Sequence, residues 1–364
     1  MKFVVDKMLF ERALTEVAKA LPLRTTLPIL NNILFEVKDG TLYLSATNLD
    51  FSIRSWLPVF DAEDGAFTLP GKLILNMVQT LPPMTITFEH TSGATRMSTE
   101  KGVFTLAGLD PEDFPTFKTF EGDDGITLPT EALIRGSNYV SFCAAREDAR
   151  AFLTGILLDL RENEVRLVAT DSHKLGLWKK SIDLNIQTQA IVPRHTFEYL
   201  KSKDEETANI RFSKDSMGLF FKDSFLITRQ IEGPYPPYDD IIPGESDNVA
   251  VLPRDELLST LKRLSLFTSG PTYLLNIYFS PQGLRMKASS PDVGEGEETV
   301  PAEFTGEPME LAFNVQYLLE IIRKLDSEQV KISIYNASTA IKIEPVGFEE
   351  GEELLYLLMP IKLD

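Results

Sequence analysis

One cysteine, Cys143, stands in a chain of 364 residues, so no disulfide framework is available and the sequence suits a reducing compartment. Histidine is almost as scarce: His90, His173 and His195 are the only three, and no cysteine or histidine spacing matches a zinc site. No apolar run reaches the roughly 18 residues of a membrane span, and Met1–Asp6 lacks the apolar core of a secretory signal. A Walker-type phosphate loop and a glycine-rich dinucleotide fingerprint are both missing. Asp171, Ser172 and His173 put triad residue types side by side, but a triad needs convergence in space and no nucleophile elbow surrounds them. The acidic run Asp292–Glu298 lacks the ligand spacing of a calcium loop and reads as a solvated loop. These residues therefore call for neither a metal nor an organic cofactor.

Positive charge is also in short supply. The formal net charge is −18, which taken alone argues against binding to nucleic acid. A whole-chain sum can still hide a basic face, so the placement of the positive residues decides the matter.

What the chain has is a long internal repeat. The stretch Leu153–Leu175 has counterparts at Leu30–Asn48 and Leu275–Ser290. A shift of 123 residues carries Phe35, Val37, Leu42, Leu44 and Ala46 onto Leu158, Leu160, Val165, Leu167 and Ala169 without a gap. A further 119 residues reach Ile277, Phe279, Leu284, Met286 and Ala288. Each copy alternates apolar and mostly polar residues in two runs about a turn, at Asp39-Gly40, Glu162-Asn163 and Pro281-Gln282-Gly283. That alternation is the period of a half-buried β-hairpin. Each repeat is long enough to hold a core of its own, which predicts three domains at 1–120, 126–245 and 247–364.

Around each hairpin lie two helix-like segments. The first set is Asp6–Ala20, Pro129–Arg150 and Pro253–Arg263; the second is Pro70–Pro82, Pro193–Lys203 and Asn314–Leu325. Phe10, Leu14, Val17 and Ala18 form one apolar stripe, with Asp6 placed to cap the helix. Further strand runs follow the second helices, such as Thr85–Glu89 and Val103–Ala107. The order helix, strands, helix, strands predicts α+β domains of helices packed on antiparallel sheets, with a hint of two half-units in each. Asp110–Gly125 and Gly233–Asp247, rich in Pro, Gly and Asp, read as linkers. The six helix segments together carry +5, ignoring histidine, so the acidity lies elsewhere. Either the helices share a basic face, or they simply tolerate Lys and Arg well; charge alone leaves both open.

Four stretches resemble the bacterial DNA polymerase III beta subunit, the sliding clamp: Thr26–Leu30, Val168–Leu175, Phe313–Leu318 and Leu358–Leu363. They occur in order, and the resemblance covers essentially the whole chain. It implies the DNA clamp fold, each chain being half of a closed ring, and a non-enzymatic processivity factor of the cytoplasm. It implies a head-to-tail homodimer around double-stranded DNA, held without sequence preference. The implied protein partners are the DNA polymerase III catalytic subunit, the clamp loader, and other polymerases and repair proteins, with no membrane.

By the same resemblance, Arg24, Lys72, Arg150 and Arg194 are candidate DNA contacts, although Glu147 stands where the family often has a neutral polar residue. The implied peptide-binding pocket comprises Leu153, Thr170, Ser172, His173, Lys174, Leu175, Pro243, Leu357, Leu358, Met359, Pro360, Ile361 and Lys362. Ser172 replaces a common family glycine, and Asp364 extends the usual end. For Leu153, Leu175 and Leu357 the competing assignment is plain core. Phe104 and Leu106 are expected to meet Leu266 and Phe267 across the ring interface, against burial within each domain. Two other function classes compete: an enzyme working through Asp171 and His173, and an acidic interaction scaffold without DNA binding.

Overall fold

The computed structural model describes residues 1–91, 93–117, 120, 125–269 and 273–362. Part of the first linker (118–119 and 121–124) and the terminal Leu363 and Asp364 lie outside the described residues. The chain forms two compact units, Met1–Glu131 with Tyr199–Gln230, and Ala132–Glu198 with the residues from Ile231 onward. The architecture is α+β, and every strand pairing in it is antiparallel.

In the first unit an eight-stranded sheet runs in the order Gly65–Pro70, Asn32–Lys38, Thr41–Thr47, Phe51–Pro58, Ser224–Arg229, Ser216–Phe220, Thr207–Phe212, Ile126–Pro129. A smaller sheet joins Lys2–Asp6, Thr85–Thr91, Ala94–Thr99 and Gly102–Leu106. The second unit repeats the plan. Its nine-stranded sheet runs Thr188–Pro193, Gly155–Arg161, Glu164–Thr170, Lys174–Ser181, Glu352–Leu358, Ile341–Pro345, Gln329–Ile334, Asn248–Pro253, Glu303–Thr305. Its smaller sheet is Gly294–Val300, Gly283–Ser290, Leu274–Ser280 and Met309–Asn314. Each large sheet thus joins the first strands of one sequence copy to the last strands of the next.

The three hairpins share one register. Phe35 lies opposite Leu44 and Val37 opposite Leu42. Leu158 and Leu160 face Leu167 and Val165, and Ile277 and Phe279 face Met286 and Leu284. All twelve side chains are buried, as one face of a period-2 strand requires. The first turn has Asp39 at φ 50° and Gly40 at φ 72°, the mirror-image turn that matches strand twist. In the third, Gly283 sits at φ +116°, and a Cβ there would meet the Val300 carbonyl oxygen at 2.6 Å.

Seven helices lie among the described residues: α1 (Lys7–Val17), α2 (Gly71–Gln79), α3 (Thr130–Val140), α4 (Arg194–Leu200), α5 (Tyr238–Ile241), α6 (Arg254–Leu264) and α7 (Val315–Lys324). In α1 the Asp6 carboxylate accepts from the backbone N–H groups of Met8 (2.9 Å) and Leu9 (3.1 Å). Phe10, Ala13, Leu14 and Val17 form its buried stripe. Phe10 joins Phe3, Phe35, Phe67 and Phe88 in an aromatic core, with Phe35 stacked on Phe67 at 4.9 Å. In α6, Asp255 and Glu256 occupy the first turn and Lys262 and Arg263 the last, each sign complementing the helix dipole.

The expectation for Pro129–Arg150 requires a correction. Helix α3 ends at Val140, followed by a single 3-10 turn at Ser141–Cys143. There the chain turns back, so that the Ala145 N–H donates to the Leu153 carbonyl at 2.9 Å instead of to a preceding turn. The linker Gly233–Asp247 also differs from the expectation, because it contains α5 and is anchored. The Tyr238 hydroxyl donates to Asp159 Oδ2 at 2.5 Å, and Arg161 and Arg166 each reach Asp239, at 2.6 and 2.8 Å.

Removing the cap of α1 tests its share in stability. Asp6→Ala leaves two helix-start N–H groups without their partner and is expected to lower unfolding free energy by about 1 kcal/mol, while Asp6→Asn retains most of it. Urea melts of the three proteins check this, and an Asp6→Ala midpoint equal to the parent would show the cap to be idle.

Candidate functional site

The loop that ends strand Glu164–Thr170 is fixed by its own short polar side chains. Thr170 Oγ1 accepts from the Ser172 N–H (3.1 Å) and donates to the Lys174 carbonyl (2.8 Å). Asp171 Oδ1 accepts from the backbone N–H groups of His173 and Lys174, both at 2.9 Å. Its other oxygen takes the Lys174 ammonium, also at 2.9 Å. These bonds hold Ser172 at φ 76°, a left-handed conformation disfavoured for any side chain with a Cβ. They also turn the His173 ring outward, where it stacks on Tyr317 of α7 with centroids 6.0 Å apart.

Lys174 is only 6% exposed. Burial opposes its charge, but the hydrogen bond to Asp171 and the nearby carboxylates of Asp171 and Glu320 prevail and raise its pKa above the ordinary value. The ammonium also lies 4.1 Å from the Tyr317 ring centroid, a desolvated cation–π contact. Asp171 is therefore occupied by backbone and by Lys174. Among the described residues no hydrogen bond joins it to the His173 ring, so the geometry that acid–base chemistry would need is missing.

The C-terminal tail is pinned beside this loop. Strand Lys174–Ser181 pairs with Glu352–Leu358, Lys174 opposite Leu358 and Leu175 opposite Leu357. The Met359 N–H then donates to the His173 carbonyl (2.9 Å), and the Ile361 N–H to the Ala312 carbonyl (2.7 Å). Leu175 and Leu357 belong to an apolar cluster with Leu157, Val168, Leu177, Ile191 and Leu355. Phe152, Ile231, Tyr235 and Ile242 lie half-exposed at its edge. On its other flank the loop borders a cleft of about 1100 Å³, with His173, Lys174, Tyr317 and Glu320 on its wall and Arg146, Arg150, Arg194 and His195 also lining it.

The residues expected in a peptide pocket thus divide into two classes. Ser172, His173, Met359 and Lys362 are exposed, and Pro243 and Ile361 are half-buried. Leu153, Thr170, Lys174, Leu175, Leu357, Leu358 and Pro360 are buried and form the support beneath them. Tyr317, Glu320 and Phe152 are not among the expected site residues, although Tyr317 lies in the stretch Phe313–Leu318 that carries the resemblance. Asn314, whose side chain caps α7 at Gln316 (2.9 Å), could have pointed to Tyr317, one turn further on and on the same side.

Arg24 and Lys72 are exposed, whereas Arg194 is half-buried. Arg150 donates to both oxygens of Asp148 (3.0 and 3.1 Å), and these bonds hold the Asp148 carboxyl down to about 2. Phe104 is exposed at 41% and Leu266 at 70%, while Phe267 is half-buried over Gly296. Leu106, at 7%, is buried within its own unit, opposite the buried Thr95 of the neighbouring strand.

Comparison with known proteins follows this geometry over the full chain. Residues 1–118 match the N-terminal domain of the DNA polymerase III beta subunit, 127–237 its central domain and 239–362 its C-terminal domain. The chain is 29% identical over 380 residues to the beta sliding clamp of Synechococcus elongatus, with both proteins covered entirely. It is 27% identical to that of Chlamydia pneumoniae, covering all of this chain and 99% of the relative. Among solved structures, the DNA polymerase III subunit beta from Pseudomonas aeruginosa superposes with a TM-score of 0.94 at 25% identity, each chain covered completely.

The strain at Ser172 is open to a direct test. Ser172→Gly removes the Cβ penalty and is expected to raise unfolding free energy by about 1 kcal/mol. A thermal melt that does not move, or moves downward, would show that the hydrogen bonds around the turn already compensate the left-handed backbone.

Proposed function

This chain belongs to the bacterial DNA polymerase III beta-subunit family and is a DNA polymerase sliding clamp, not an enzyme; from that premise we propose how its parts are used. Two copies close head to tail around duplex DNA in the cytoplasm. Arg24, Lys72, Arg150 and Arg194 face the phosphates, and the groove beside His173 receives short peptides of the polymerase catalytic subunit, the clamp loader and repair proteins. The observation that carries this reading is the match of three successive copies of one module to the three domains of the family over the whole chain.

Three features of the molecule support it. Strand Gly102–Leu106 is the edge of its sheet and has Arg96, Lys101 and Phe104 exposed about it. Strand Gly294–Val300 is the edge of another sheet and exposes Glu295 and Glu297, with the turn after α6 that carries Leu266 packed beside it. Unpaired strand edges of opposite charge suit pairing between copies, and a heterologous contact of this kind closes a ring when the rotation permits. The groove joins a rigid backbone turn to exposed His173 and Met359 over an apolar floor, which suits an extended peptide with apolar anchors. The anchored pair Arg150–Asp148 leaves only weak attraction to phosphate, as a ring that must slide requires.

The ring is expected to have about twice the 40.8 kDa mass of one chain in native mass measurement. Phe104→Arg or Leu266→Arg should yield monomers. The ring should stay on nicked circular DNA and leave once the circle is cut. A micromolar monomer, or equal retention on linear and circular DNA, would overturn the reading. Arg24→Ala and Lys72→Ala should each lower the salt slope of DNA association by roughly one. Tyr317→Ala and His173→Ala should weaken binding of short polymerase fragments by about tenfold.

A further inference from the structure

The first unit carries a loop built like the one in the groove. The Leu49 N–H donates to Thr47 Oγ1 (2.9 Å), as Ser172 does to Thr170. Asn48 Oδ1 accepts from the Asp50 and Phe51 N–H groups (3.1 and 2.8 Å), as Asp171 does from His173 and Lys174. Leu49 takes φ 81° against 76° for Ser172. The Arg229 N–H donates to the Asp50 carbonyl (2.7 Å), matching Met359 on His173. Strand pairing completes the correspondence, with Ser52 opposite Ile227 where Leu175 faces Leu357.

A cleft lies at this second place too. It has two lobes, of about 650 and 310 Å³, which share Pro115, Thr116, Phe117 and Ile227. Its lining differs from that of the groove. Phe114, Phe117 and Phe225 wall the larger lobe, each ring meeting the next edge-on at 6.3 and 6.1 Å. Ser45, only 1% exposed, lies among them, and its hydroxyl has no hydrogen-bond partner among the described residues. An unpaired buried hydroxyl costs free energy that a ligand group can recover. Four carboxylates, Glu36, Glu112, Asp50 and Asp215, line the two lobes against two cations, Arg54 and Arg229. Arg54 is paired with Glu36 at 3.0 Å. That excess of negative charge repels phosphate and attracts a cation.

We propose that this cleft is a second peptide-docking site, for a short extended segment presenting a phenol side chain beside a lysine or arginine. The ring lies in the larger lobe against the phenylalanine wall, its hydroxyl meets Ser45, and the cation lies against the carboxylates. The equivalence of the two loops bears on peptides only through the peptide reading of the groove beside His173, whereas the free hydroxyl and the excess negative charge are independent of it.

The probe is an acetylated, amidated tetrapeptide, glycine–tyrosine–lysine–glycine, titrated against the full chain by saturation-transfer NMR beside a twin with glutamate in place of lysine. Saturable binding of the lysine peptide is expected, with the glutamate peptide weaker. Ser45→Ala should weaken it roughly fivefold. The exposed Glu112→Lys should weaken the lysine peptide and strengthen the glutamate peptide, each about threefold. His173→Ala should change nothing. No saturation at the solubility limit of the peptide, or loss in His173→Ala with indifference to Ser45→Ala and Glu112→Lys, overturns the proposal. Should polymerase fragments ignore His173 while the tetrapeptide still responds to Ser45→Ala, the groove reading fails and this one stands.

Discussion

The groove depends on the antiparallel ladder that runs from Lys174 opposite Leu358 to Lys180 opposite Glu352. It joins strands 172 or more residues apart in sequence and gives an otherwise open sheet edge a partner. Its register is strongly specified, since a slip of one residue would carry Leu355 and Leu357 out of the apolar cluster. Because the ladder ends where it does, the Met359 N–H falls on the His173 carbonyl and the tail lies along the loop. Charge pairs on the strands reinforce it, with Lys180 2.9 Å and Lys179 2.6 Å from Glu352 and Glu353. The site is therefore set by backbone pairing before any side chain chooses a ligand.

Electrostatics then separates the surfaces. A chain of formal charge −18 that must lie close to DNA cannot rely on general attraction. Enclosure removes that need, since a closed ring is retained by topology and strong phosphate contacts would only retard sliding. The pairing of Arg150 with Asp148 and the nearby Glu147 fit a molecule that keeps its contacts weak. The buried Lys174 has a different task. Enclosed by Asp171, Glu320 and Tyr317, its ammonium ties the loop to α7 and so fixes the wall against which His173 stacks.

Much of this was legible in the sequence because it depends on short-range periodicity. The three hairpins could be aligned residue by residue, since alternation has a period of two and Asp39-Gly40 marks a turn by its own chemistry. The caps at Asp6 and Asn314 are likewise local. Other features depend on distant partners and left little local trace. Tyr235 and Tyr238 lie in a stretch rich in Pro and Gly, and only the cluster and the Asp159–Arg161–Arg166 pocket into which they fit make them structural. The end of α3 is set by the bond from Ala145 to Leu153. Leu106 is buried while Phe104, two residues before it on the same face of the strand, is 41% exposed, a difference that alternation alone does not give. Tyr317, on which the His173 ring stacks, has one local signal, the Asn314 cap three residues before it.

The two loops show how one backbone device can serve two chemistries. Threonine followed by Asn or Asp closes both turns through the same hydrogen bonds, and each then holds a residue with a Cβ in left-handed conformation. Such strain persists only where the surroundings over-determine it, and it persists at both places although the residues are as unlike as leucine and serine. The turn is thus conferred by its neighbours rather than by the strained residue. The residues that follow the closure differ between the copies: Asp50 stands for His173 and Ser52 for Leu175, and Arg229 stands for Met359 on the neighbouring strand. Where the scaffold is fixed by backbone and the lining is not, a duplicated module can keep its fold and give each copy of the site its own ligand.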